Sequence, residues 1–186
     1  ELPTAQWKKR VSLADTYGAD GSGVAVFNPA GTGFGELIYT QVSKPLTVPD
    51  MKVTAVLSRL PRWDVINILP GSQSGWFLCV QANLSDKSCY RVEILNNRCQ
   101  FEQVDAVGNH TDIGGKKTIP ANALGMPYSL EIKGNTLTLT RNGIVAATQA
   151  VTAPLSGRHV GFGAYKVAYV GPEPCAEFAG VAWQPA

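Results

Sequence analysis

The sequence predicts an all-β chain folded as a two-sheet antiparallel sandwich. Three observations carry this. Apolar and polar residues alternate with a period of two over much of the chain, strand-like runs recur about every ten residues between turns, and no segment sustains a 3.6-residue apolar period. Composition agrees: charged residues are 16%, below the usual quarter or so, while glycine (19) and proline (12) are plentiful. A chain of 186 residues is long enough for one well-packed β domain, and no internal repeat or low-complexity linker divides it. A single domain over residues 1–186 is therefore expected.

Taken in order, Leu13–Tyr17 holds one helical turn at most, and Gly23–Phe27 and Glu36–Val42 read as strands around the turn Pro29-Ala30-Gly31-Thr32-Gly33. Met51–Leu60 is a long strand and Asp64–Leu69 a shorter one. Trp76–Ala82 and Cys89–Leu95 form a hairpin, and Asn96-Asn97 turns into Cys99–Val107. Gly108–Ala123 is turn-rich without a clear period. In Tyr128–Lys133 the apolar residues Tyr128, Leu130 and Ile132 share one face. Gly134-Asn135 and Asn142-Gly143 supply the positive backbone angles of tight hairpins, so Tyr128–Ala150 reads as a three-stranded meander. Val160–Lys166 and Glu177–Trp183 close the chain. About eleven or twelve strands in one domain mean a sandwich or a barrel, and the many short connections favour the sandwich.

A net charge of +2 is too small to imply a nucleic-acid partner. The densest basic group, Lys8-Lys9-Arg10, reads as a solvated strand end. No stretch approaches the ~20 apolar residues of a membrane span, so no membrane insertion is expected. The start at Glu1 with no visible signal segment leads to the expectation of a processed protein or a domain excised from a longer chain. Cys79, Cys89, Cys99 and Cys175 lack CxxC spacing, and only two histidines exist to join them, which argues against zinc. Cys79 and Cys89 lie on consecutive strands. Either they face each other as a disulfide, with an extracellular or virion setting, or they are free buried thiols. Asn83-Leu84-Ser85 and Asn109-His110-Thr111 have the spacing of glycosylation acceptors.

The order of motifs in the second half carries a resemblance. Tyr90-Arg91-Val92-Glu93-Ile94 precedes a return strand, then Tyr128-Ser129-Leu130-Glu131-Ile132-Lys133-Gly134-Asn135-Thr136-Leu137 and Arg141-Asn142-Gly143, then Gly157-Arg158-His159-Val160-Gly161-Phe162-Gly163, and a last strand ends at Trp183. Over roughly residues 50 to 183 this resembles the concanavalin A-like (laminin-G-like) jelly-roll family. The matching residues are core and turn positions, so the resemblance implies fold first. Such domains occur in lectins, glycan hydrolases and lyases, sugar-binding modules, and minor tail proteins of phages infecting actinobacteria. The resemblance to the tail domains lies in short loops and low charge.

The hydrolases of that family carry Glu-x-Asp-x-x-Glu or Glu-x-Asp-x-Glu on one strand, so that alternate carboxylates enter one groove. The nearest stretch here, Phe101-Glu102-Gln103-Val104-Asp105, puts its acids on opposite sides of a strand, and Glu93 has no acid two residues away. The Gln-x-His element of the lyases is absent, and Gly71-Ser72-Gln73-Ser74-Gly75 has glutamine where a nucleophile elbow needs serine. The expected function is a non-catalytic carbohydrate-binding, adhesion or structural module of a phage tail or secreted protein. The alternative is a polysaccharide-degrading enzyme, with Glu93 and Glu102 as its acids.

Sugars are held by aromatic planes and short polar groups on loops or open sheet faces. Arg62-Trp63-Asp64 supplies an aromatic between two charges, Asn109 and His110 supply donors and acceptors, and Tyr165 and Tyr169 flank a proline-stiffened loop. No cofactor is expected. Calcium is the one metal the chain admits, at Asp15–Gly23, which lacks the Asp-x-Asp-x-Asp-Gly spacing and a closing glutamate. The expected partners are a cell-surface glycan or polysaccharide and neighbouring subunits of a larger assembly, with the protein outside the cell or on a virion surface.

Overall fold

A computed structural model describes residues 7–11, 16–19, 25–28, 35–41, 45–59, 73–167 and 176–186. Among them are fourteen strands and no helix. They are β1 (Trp7–Val11), β2 (Thr16–Ala19), β3 (Ala25–Asn28), β4 (Gly35–Gln41), β5 (Met51–Arg59), β6 (Gln73–Ala82) and β7 (Cys89–Ile94). There follow β8 (Arg98–Val104), β9 (His110–Thr118), β10 (Pro127–Lys133), β11 (Thr136–Arg141), β12 (Ile144–Ala150), β13 (His159–Val167) and β14 (Ala176–Pro185). One sheet has the order β1-β4-β13-β6-β7-β8-β9 and the other β12-β11-β10-β5-β14-β3-β2. The expected two-sheet antiparallel sandwich is the fold.

Alternation decides which face each strand buries. Met51, Val53, Ala55 and Leu57 of β5, with Tyr128, Leu130 and Ile132 of β10, meet Trp76, Leu78 and Val80 of β6 and Val160, Phe162 and Ala164 of β13. Trp76 packs edge-on against Tyr128 at 5.0 Å and Phe178 at 6.0 Å, and Phe162 lies 5.0 Å from Phe178. These ring contacts join the sheets. The meander forms as expected, with Leu130 opposite Leu139 and Ile132 opposite Leu137. Its second turn places Asn142 and Gly143 at φ of 50° and 78°, the positive pair a two-residue hairpin requires.

Four expectations are corrected or left outside. The described residues alone hold fourteen strands, more than the eleven or twelve expected. Of Leu13–Tyr17 only Thr16 and Tyr17 are described, and they lie in the strand Thr16–Ala19. Gly108–Ala123 contains β9, an edge strand largely exposed on both faces, so burial imprints no alternation on it. Two consecutive glycines, Gly114 and Gly115, have φ near +74° and +73° and force a bulge between the Cys99–Lys117 and Phe101–Ile113 pairs. Asp64–Leu69 and the turn at 29–33 lie outside the described residues.

Cys79 stands opposite Arg91 and not opposite Cys89, so the hairpin register does not set up that disulfide. Cys79, Cys89 and Cys99 are buried, and none of them is in a disulfide. Burial pushes the Cys99 thiol up to about 11, with Lys117 across the ladder pulling partly against it.

The end of β6 is held by an unusual residue. Gln81 is buried at φ 49°, a conformation that costs a non-glycine residue about 1 kcal/mol or more. Its Nε2 donates to the Pro49 carbonyl at 3.1 Å, and its Oε1 accepts from the Leu155 N–H at 2.7 Å. The loop between β12 and β13 crosses so closely that a Cβ on Gly157 would stand 2.0 Å from the Gln81 carbonyl oxygen. Because the obstacle is backbone, Gly157→Ala should lower stability by about 1–3 kcal/mol in urea unfolding. Thiol titration of the unfolded, unreduced protein should find at least the three cysteines at 79, 89 and 99. A Cys79–Cys89 bridge would leave fewer.

Candidate functional site

On the first sheet every second residue turns away from the core. In β6 these are Phe77 and Cys79, in β7 Cys89, Arg91 and Glu93, and in β8 Gln100, Glu102 and Val104, interleaved with core residues Trp76, Leu78, Tyr90, Val92, Cys99 and Phe101. Antiparallel register aligns them in rows. One row runs Cys79–Arg91–Glu102–Asp112 across β6, β7, β8 and β9, and the next runs Phe77–Glu93–Gln100. Most of these residues are themselves buried, with Phe77, Cys79, Cys89 and Val104 in a second apolar cluster, so charged groups from distant parts of the sequence converge within a covered part of this face.

Arg91 is the centre. Its Nε donates to Glu102 Oε2, its Nη2 lies 3.8 Å from Glu93 Oε1, and its guanidinium sits 4.9 Å above the Phe77 ring. The Arg91 and Glu102 side chains are only 4% and 8% exposed. His110 Nδ1 approaches the same Glu102 oxygen at 3.4 Å and is 29% exposed, so the network runs from a buried ion pair to an open lip formed by His110 and Asp112. Burial acts to raise the Glu102 pKa. The His110 hydrogen bond and the Arg91 charge act against it and prevail, holding the carboxyl below its ordinary value.

Of the residues singled out in the sequence, His110 is thus brought together with Glu102, Glu93 and Arg91. Asn109 is committed elsewhere: its Nδ2 donates to Asp105 Oδ2 and its N–H to Asp105 Oδ1, both at 2.8 Å. That closes the turn before β9. Asn83 is likewise tied to Asp86 and Ser85. Tyr165 lies on β13, in register with Gly75 and Glu36. Arg62, Trp63, Asp64 and Tyr169 lie outside the described residues, as do Asp15 and residues 20–23 of the calcium-like stretch. Among the described residues no group of three or more His, Cys, Asp and Glu is placed to hold a metal. Sequence reasoning met Asp112 only as the end of the polar loop Asn109-His110-Thr111-Asp112, and Arg91 only as a faint echo of the lyases' arginine-bearing strand. The outward period of β7 pointed to Arg91, but nothing local reveals that Glu102 faces Asp112.

The arrangement presents fixed hydrogen-bond acceptors along one line. Three carboxylates (Glu93, Glu102, Asp112) and one guanidinium stand in these two rows, so the rows carry an acidic excess. An ionised, immobile carboxylate accepts hydroxyl hydrogen bonds well and repels anions.

No family model matches the chain, and no curated protein matches it. Solved structures do. The carbohydrate-binding module CBM66 from Bacillus subtilis aligns with a TM-score of 0.53 at 9% identity, over 97% of this chain and 92% of that one. A Bacillus licheniformis β-glucanase aligns at 0.59 and 14% identity, over 98% and 92%. The Emp46p carbohydrate recognition domain, metal-free form, aligns at 0.59 and 9%, over 96% and 88%. At such identities the likeness shows the fold, a concanavalin A-like jelly roll.

Removing Arg91 would leave the buried carboxylate of Glu102 without its guanidinium partner. Arg91→Ala should therefore cost about 3–5 kcal/mol in urea unfolding. For Glu102 the folded-state pKa is depressed, so its stabilisation is complete above the unfolded value near 4.5 and is lost as pH falls through the folded value. Glu102→Gln should remove that acid-side loss. An unchanged stability–pH curve in the variant would show that Glu102 is not held ionised by its partners.

Proposed function

We propose that this chain is a non-catalytic carbohydrate-binding module that engages a neutral glycan on the outer face of the first sheet. The observation that carries the proposal is the fixed polar row Arg91–Glu102–Asp112, with His110 beside it, running from a buried anchor to a solvent-exposed lip. Immobilised acceptors in a line suit the repeated hydroxyls of a sugar chain, because little side-chain freedom is lost when it binds. The acidic excess favours neutral over sulfated or uronate-rich chains. The likeness to a carbohydrate-binding module and a carbohydrate recognition domain supports the same reading. Trp63, between Arg62 and Asp64, is proposed as the stacking plane, and a cell-surface glycan met from a secreted protein or a phage tail as the setting.

A second reading rests on one observation. Glu102 and Asp112 stand directly opposite each other on neighbouring strands, the one cross-strand pair of carboxylates on this face among the described residues. A hydrolase could use such a pair, with the depressed Glu102 as the ionised partner. The fixed partners of Glu102 favour binding, since a retained ion pair with Arg91 opposes proton exchange.

Glycan-array binding separates the two. The intact protein should bind a neutral polysaccharide and release no sugar. His110→Ala, Asp112→Ala and Trp63→Ala should each weaken binding at least about tenfold, the loss expected of a central contact, with melting temperature nearly unchanged in Asp112→Ala and Trp63→Ala. Selective binding of sulfated chains would overturn the neutral assignment. Turnover abolished by Asp112→Asn would replace the binding reading with the hydrolase.

A further inference from the structure

A second site lies on the opposite sheet, at its β12 edge. Leu137 and Leu139 of β11 are buried in the core, and the next residue on that face is Arg141. A cation thus occupies a position that the alternation reserves for an apolar side chain. Arg141 stands opposite Tyr128, with its guanidinium 5.9 Å from the ring centroid. Its Nε is buried and has no hydrogen-bond partner, and no described acid pairs with it. Beside it opens a pocket of about 320 Å³ lined by Pro120, Met126, Asn142, Ile144, Val145 and Ala146. The β11–β12 ladder shifts register next to it, between Leu139 and Thr140. Ile144 and Val145 on its rim are 74% and 59% exposed.

A partly buried guanidinium without an anion is costly, and places where local consistency is broken tend to be functional sites. The pocket is of a size that small ligands fill, mostly apolar, with one cation at its wall. We infer that this pocket binds a small monocarboxylate with an apolar body, the carboxylate paired with Arg141 and the body lying against Met126, Ile144 and Val145. Tyr128 holds the guanidinium plane in place before the ligand arrives, so less freedom is lost on pairing. The site is independent of the glycan reading and stands or falls separately.

Amide NMR titration with 4-phenylbutyrate, and with 4-phenylbutan-1-ol as its uncharged counterpart, tests this. The acid should shift amides between residues 121 and 126 and between 141 and 146, and bind at least about tenfold more tightly than the alcohol, as one charge-assisted pair requires. Arg141→Met should abolish the preference and keep or raise the melting temperature, since an unpaired cation is removed. Should that variant not fold, Ile144→Asp serves instead. Its position is exposed, and an added anion at the rim should weaken the acid more than the alcohol. Equal binding of acid and alcohol, shifts mapping elsewhere, or no shifts at low-millimolar ligand would each overturn the proposal.

Discussion

The packing of Trp76 against Tyr128 and Phe178 is the constraint on which the rest depends. These rings come from both sheets and set how β6 faces its partners. Once Trp76 points inward, Phe77 and Cys79 must point outward, and the ladder carries that choice to β7 and β8. A slip of one residue would bring Arg91 and Glu102 into the core and turn Tyr90 and Phe101 out. The polar row is therefore enforced by the aromatic core behind it. Arg91 and Glu102 are already buried on their own face, but in the slipped register Tyr90 and Phe101 would lose the main core, and that loss disfavours the slip.

The row itself contributes less to stability than its hydrogen bonds suggest. Taking Arg91 and Glu102 out of water offsets much of their attraction, and a well-packed apolar pair would serve the fold as well or better. What the network does give is position. Glu102 is held by Arg91 from within and by His110 from the edge, so its carboxylate has little rotational freedom. Phe77 supports the guanidinium from the other side. The polar atoms of the row are thereby fixed in place.

The meander was legible because turn chemistry and burial agree there. Asn142-Gly143 admits one turn geometry, and Leu130, Ile132, Leu137 and Leu139 all fall on the buried face. β9 was not legible, because an edge strand open on both sides has no buried face to pattern its residues, and Gly114-Gly115 reads as loop. That omission hid half of the candidate site. Glu93, Glu102 and His110 stood out by residue type, but their meeting depends on the β8–β9 register, which a bulge shifts. Arg141 escaped notice for the opposite reason. Its neighbours Thr140 and Asn142 are polar, so it read as the end of a strand, and only the three-dimensional core shows that its face is the buried one.

Gln81 has a kinetic meaning. Its strained backbone is offset by bonds to Pro49 and Leu155, which lie 32 and 74 residues away in sequence. Those partners are in place only after the loops at 45–50 and 151–158 have closed over the end of β6, and closing such long loops is entropically slow. Until then the left-handed residue is uncompensated. The chain therefore gains nothing by forming this corner early, whereas the β10–β12 meander pairs neighbours across turns of a few residues. The order of assembly implied is a local hairpin nucleus first, sheet-on-sheet docking next, and the Gln81 corner locking last.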